Sequence, residues 1–232
     1  MRDKDIDDIL GRTPPVDAAL LERVSASMGT TLRPVRPVAP RWVLTSGLWA
    51  VSTGVAIAAA FAFGLDGFRR LTGAETGVIF PGMVILTLLA ALISVGAMTP
   101  GGLRWSPTQL LVLVLVACIA VDAALFRDYQ MTSFVPQGIP CLRAGLLVSV
   151  PAGAGSWLVL RRGFAVNRTA AGLAAGTLAG LAGLTMLEFH CANFNAMHVM
   201  VWHTAVVPVS GLVGAIVARL GGEKNILAAD KR

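Results

Sequence analysis

Apolar residues in this chain run in long blocks, without the short alternations of a water-soluble core. A membrane-crossing helix needs roughly 20 mainly apolar residues. Six stretches reach or approach that length, at about 42–65, 77–98, 105–125, 144–160, 170–187 and 197–218. The pattern predicts an all-α polytopic membrane protein, a six-transmembrane-helix bundle preceded by a short helical segment in water. The fourth block is the shortest and would cross with little tilt. Trp42, Trp105 and Trp157 fall at or near block ends, as interfacial aromatics do, while Trp49 and Trp202 lie deeper. Connections of about 6 to 18 residues leave no room for a folded domain between spans. The chain therefore divides into a soluble segment at 1–41, a membrane domain at 42–220 and a tail at 221–232.

The soluble segment has its own pattern. A short helix is expected near 3–10, around Ile6, Ile9 and Leu10, and a second from Pro15 to about Met28. In the second, Leu20, Val24 and Met28 recur every four residues beside Leu21, with Asp17 and Glu22 near the helix start, where negative charge is favourable. Such a helix is marginal alone in water and has no domain against which to bury its stripe. A membrane-surface helix would be rich in Lys and Arg, and this one has only Arg23. Docking of Leu20, Leu21, Val24 and Met28 into the groove of a partner protein is the favoured reading. The stretch from Leu32 to Pro40 reads as an extended spacer, stiffened by prolines and held near anionic lipid by Arg33 and Arg36.

Charge sets the orientation. Of 19 Lys and Arg residues, 15 fall in the N-terminal segment, the second and fourth connections and the tail. The other face has only Arg69, Arg70, Arg127 and Arg143. Positive charge stays on the cytoplasmic side, which predicts a multi-pass membrane protein with both termini in the cytoplasm. The net charge of +6 thus reflects topology, and no basic face interleaved with aromatics points to nucleic acid. Asp3, Asp5, Asp7 and Asp8 make the start too polar for a cleaved leader.

This orientation places Cys141 and Cys191 on the oxidising face, where disulfides persist. They could form a permanent disulfide, a reversible thiol pair or a site for a soft metal. His190, His198 and Glu188 lie close in sequence, and thiolate with imidazole suits zinc, cadmium or copper. Cys118, inside the third block, reads as a small packing residue. His203, deeper in the sixth block, is either a functional group or an imidazole hydrogen-bonded to a neighbouring helix. Asp122 is expected to cap its helix or pair with Arg127. Gly172, Gly176 and Gly180 form one close-packing stripe on the fifth span, for another span of this chain or for a second copy in a homodimer. Pro151 and Pro208 lie inside the fourth and sixth blocks, where each removes a backbone hydrogen bond.

The apolar helix followed by Leu32-Arg-Pro-Val-Arg-Pro-Val, Cys141-Leu-Arg-Ala-Gly145 ahead of Pro151 and Arg161-Arg162, the glycine-rich fifth span, and His190-Cys191 leading to Trp202-His203 occur in one order. In that order they resemble the six-span bacterial anti-sigma regulators of the NrsF type, which restrain extracytoplasmic-function sigma factors. The resemblance implies that the N-terminal segment holds a sigma factor. It also implies that Cys141 and Cys191 sense oxidant or heavy-metal stress. No catalytic residues are expected, since no nucleophile–base pair, phosphate loop or paired carboxylates occur. A small transporter or metal exporter, with His203, Asp122 and Glu188 converging on a cavity, and a structural subunit of a membrane complex are the alternatives.

Overall fold

The computed structural model describes residues 17–31, 39–98, 105–130, 132–160 and 167–229, with the side chains of 29–31 and 222–229 outside that description. The described residues contain no strand. They form α1 (Ala18–Thr31), α2 (Arg41–Phe63), a short α3 (Asp66–Arg70), α4 (Gly73–Ala97), α5 (Pro107–Leu125), α6 (Phe134–Leu160), α7 (Arg168–His190), a single turn α8 (Ala196–His198), a π-helical turn (Val199–His203) and α9 (Val206–Ala229). Six elements are long and apolar enough to cross a membrane: α2, α4, α5, α6, α7 and the segment Ala196–Gly221. These are the six expected spans.

Two compact units are present, residues 1–37 and 38–232. Within the first, α1 starts where the Asp17 carboxylate accepts the Ala19 N–H at 2.9 Å, a side-chain cap for otherwise unpaired amides. Leu20, Leu21, Val24 and Met28 are exposed. The helix expected near 3–10 and the spacer at 32–38 lie outside the described residues.

In the second unit, local chemistry marks several helix starts. Thr72 and Glu75 form a reciprocal cap for α4, and Ser106 and Gln109 form another for α5, with Pro107 at the first helical position. Asn167 caps α7 by accepting the Ala170 N–H. Several hydroxyls inside the spans bond their own helix: Thr87 donates to the Met83 carbonyl, Ser149 to Gly145 and Thr177 to Leu173. No water is needed to satisfy these hydroxyls.

The bundle is organised around α7, whose apolar stretch is 72 % buried against 44 % for the next most enclosed span. Ten of its 23 residues are Ala or Gly, so neighbouring backbones come close. The stripe of Gly172, Gly176 and Gly180 faces α9 of the same chain. A methyl added at Gly172 would strike the Gly214 carbonyl and Ala218, one at Gly176 would strike Ser210 and Gly211, and one at Gly180 would strike Val207. Gly183 similarly approaches the Gly145 carbonyl of α6. A larger apolar layer of Leu48, Ile93, Leu110, Val114, Leu178, Leu181 and Leu184 also takes in Cys118, so that thiol is a packing residue, as expected.

Four expectations need correction. The fourth span begins at Phe134, well before 144, so the preceding loop is shorter and Cys141 is helical. The early start is made possible by Gly138, which sits directly against the Trp202 ring; any side chain there would hold the two apart. Pro208 lies in the first turn of α9, preceded by an irregular turn, and does not kink a regular span. The last helix runs on to Ala229, beyond the expected end near 218. Asp122 is buried on α5, and makes no ion pair with Arg127.

Gly176→Leu should drive α7 from α9 and cost about 1–3 kcal/mol by overpacking. Gly54→Ala, where a methyl meets nothing within 4 Å, should be neutral or stabilising. Thermal unfolding of the purified variants in detergent checks the ordering, and equal stability of the two would contradict the backbone contact.

Candidate sensor site

The site lies at one end of the bundle, where α6, the end of α7 and the start of the last span meet. Cys141 projects from α6 and is half-buried, while Cys191 follows the last residue of α7 and is buried. Their sulfurs approach to 3.5 Å as free thiols. On its other side the Cys191 sulfur lies 3.5 Å from His198 Nε2. The Cys141 contact and burial together hold the Cys191 thiol above its ordinary range, outweighing the imidazole contact, which favours thiolate.

His203 joins the group through the π-helical turn. On a regular α-helix, residues five apart point roughly 140° away from each other. Here the Thr204 N–H bonds back to the Val199 carbonyl at 3.3 Å, closing a wider turn. The His198 and His203 rings consequently meet edge to face with centroids 5.2 Å apart. Pro208 accounts for the irregularity that follows. It lacks the N–H that Thr204 would accept and its ring would collide with that carbonyl, which takes the Val207 N–H at 3.1 Å instead.

Glu188, one turn before the end of α7, lies against His203. Its Oε1 is 2.9 Å from His203 Nδ1, and both side chains are almost wholly buried. The carboxylate engages Nδ1, while His203 Nε2, on the other side of the ring, makes no direct hydrogen bond. Cys141, Cys191, His198 and His203 each offer a ligand atom, all within 4.8 Å of one another. Two thiols so placed can also be oxidised to a disulfide.

Loops hold this end in place. The Asn195 side chain accepts the His198 N–H and donates to the Gln130 carbonyl, Asn193 donates to Gln137, and the Ala196 N–H bonds to the Asp128 carbonyl. Phe189 stacks on Phe80 at 4.3 Å. Gly67 of α3 fits beneath the Glu188 and Cys191 carbonyls, where a Cβ would collide.

The expected residues thus divide. Cys141, Cys191 and His198 come together as expected, and His203 joins them. Glu188 supports His203 and is absent from the ligand group. His190 turns away, its ring edge-on to Phe63 at 5.6 Å, because successive helical residues point about 100° apart. The polar hollow at this end is lined by Asp128, Gln130, Thr132, Phe134, Gln137, Asn193, Asn195 and His198. Asp122, Glu188 and His203 do not line it, so the convergence expected of a transporter is not seen there.

Over residues 29–221 the chain matches the NrsF family, described as negative regulator of sigma F. That is most of its length, and the chain belongs to this family of negative regulators. The match begins at residue 29, after Leu20, Leu21, Val24 and Met28. The chain is also similar to carotenogenesis protein CarR of Myxococcus xanthus, 29 % identical over 205 residues that cover 85 % of this chain and 88 % of that protein. No solved structure matches it.

Replacing Glu188 by Leu should strand His203 Nδ1 without an acceptor and cost about 1–3 kcal/mol. Glu188→Gln, whose amide oxygen can still accept that proton, should lose much less. Unfolding in detergent distinguishes them, and equal losses would show that shape alone matters at this position.

Proposed function

We propose that this NrsF-family protein is a membrane-bound anti-sigma factor that holds an extracytoplasmic-function sigma factor through its N-terminal segment. It releases that partner when Cys141 and Cys191, on the far side of the membrane, meet oxidant or heavy metal. Family membership supports the sigma partner. The sensing half is carried by one observation, the 3.5 Å approach of two free thiols from different spans. An oxidant such as peroxide would take two electrons from this pair and form a disulfide, while a soft metal ion would be held by the same sulfurs.

The 15 to 4 division of basic residues supports cytoplasmic termini in the bacterial inner membrane. The exposed stripe of Leu20, Leu21, Val24 and Met28 supports docking in a groove of the sigma factor. Nothing in the site serves catalysis in this reading; the protein works as a switch between two bundle arrangements with different affinity for the partner.

The test uses a sigma-dependent reporter in cells carrying the full-length protein. Leu20→Asp with Val24→Asp should raise reporter output without stress, since a charge pressed against an apolar groove has no partner; normal repression would place the docking surface elsewhere. Cys141→Ser and Cys191→Ser should each give the same locked output, and normal induction by peroxide or cadmium in the double variant would overturn the cysteine sensor. In cells stripped of the outer membrane, an impermeant thiol reagent should reach Cys141. A reporter domain fused after Arg232 should be active only in its cytoplasmic form.

A further inference from the structure

We infer that Cys141, Cys191, His198 and His203 form a closed four-ligand site for a zinc-class cation, with Glu188 as the residue that positions His203. The inference deepens the cysteine-sensor reading and rests on it for its regulatory meaning, although ion binding can be measured without it.

The geometry is that of a tetrahedral site slightly opened. Zinc bonds of about 2.3 Å to sulfur and 2.0–2.1 Å to nitrogen give tetrahedral edges of about 3.8 Å between sulfurs and about 3.5 Å between sulfur and nitrogen. The observed sulfur–sulfur and sulfur–nitrogen distances are both 3.5 Å, and no pair of ligand atoms in the group exceeds 4.8 Å. Side-chain rotations of about an ångström would complete the tetrahedron. Two sulfurs and two imidazoles select a soft or borderline ion; calcium and magnesium require oxygen ligands. With all four positions supplied by protein, the site leaves no opening for a substrate and is structural or sensory.

Glu188 is the second, independent observation. Histidines that bind metal through one nitrogen almost always donate the other N–H to a carboxylate, carbonyl or water. His203 already donates Nδ1–H to Glu188 at 2.9 Å while its buried Nε2 has no partner. A buried ring nitrogen left without a hydrogen bond costs free energy, and a cation at the sulfurs would satisfy it. Ion entry displaces one proton from each thiol and leaves two bound thiolates. His198 borders the polar hollow lined by Asp128, Gln137 and Asn193, which gives the cluster a hydrated side through which an ion can arrive.

The experiment uses the reduced full-length protein, purified in detergent, stripped with chelator and titrated with zinc, and in parallel with cobalt as a spectroscopic substitute. One ion per chain is expected, with the visible bands of tetrahedral cobalt and thiolate charge transfer. His203→Ala and His198→Ala should weaken binding and alter the cobalt spectrum. Glu188→Gln should weaken it about 10–100-fold while leaving the spectrum's shape, and His190→Ala should do nothing. Bound zinc should also slow alkylation of both cysteines, a readout that does not depend on variants folding. Absence of binding in the wild-type protein, or binding unchanged in both histidine variants, would overturn the site. Cysteine-dependent release of the sigma factor in cells, with no ion bound by the pure protein, would likewise overturn it and leave the sensor reading standing. One ion bound with the expected spectrum, but no partner release on metal exposure, would support the site and count against the sensor.

Discussion

The approach of α7 to α9 through glycine is the contact on which the rest depends. In a bilayer the lipid tails are as apolar as the side chains, so helices associate through close packing and hydrogen bonds and gain little from hydrophobic burial. Gly172, Gly176 and Gly180 bring the α7 backbone against Gly214, Ser210 and Val207. That contact fixes the last span against α7 and so fixes the segment ahead of α9. Because Cys191 ends α7 and His198 and His203 begin the last span, the glycine face far from the site sets the distance across it. Gly145 and Gly183 bind α6, and with it Cys141, to the same central helix.

A polar group at this depth survives only with a partner. The Glu188–His203 pair is nearly inaccessible to solvent, where removing either member would strand the other. Evolution of a purely structural bundle would be free to replace both with apolar residues of similar volume, often without loss of stability. Such a replacement would forgo what packing cannot supply, a fixed orientation of the His203 imidazole. Asp122 is also buried, on α5.

The membrane architecture was legible because span length and apolar runs are dictated by bilayer thickness alone. The glycine stripe was equally legible, since its spacing of four follows one helix face. What the sequence could not convey was geometry set by contacts between distant residues. The stretch before Cys141, with Pro136, Gly138 and Pro140, reads as a loop by composition, and only the Trp202 ring against Gly138 explains why it is helical. His190 looked closer to Cys191 than His203 did because it is adjacent in sequence, yet adjacency on a helix turns side chains apart. His203 was reachable in principle: five residues after His198 and five before Pro208, it lies where a proline forces the preceding turns to depart from regular α-helix. By its place in the sequence Glu188 is a candidate for holding a metal or tuning the cysteines, and its actual partner lies 15 residues further along the chain.

How a change at the sulfurs would travel follows from which motions the packing allows. Side chains can rotate within the site, but α7 cannot slide past α9 where a single methyl would collide with backbone. Drawing Cys141 toward Cys191, His198 and His203 therefore moves α6 against a nearly rigid pair formed by α7 and α9. Such a motion would pivot near Pro151, where a backbone hydrogen bond is missing. The opposite end of α6, a helix of 27 residues, would then move as well, and a displacement of about an ångström at the site would reach the far side of the bundle. Only about 1.4 kcal/mol of difference between two arrangements is needed for a tenfold change in partner affinity. Metal–ligand bonds or a disulfide are far stronger than that, so such a switch would be limited by how unequally the partner binds the two arrangements, and not by the force available at the sulfurs.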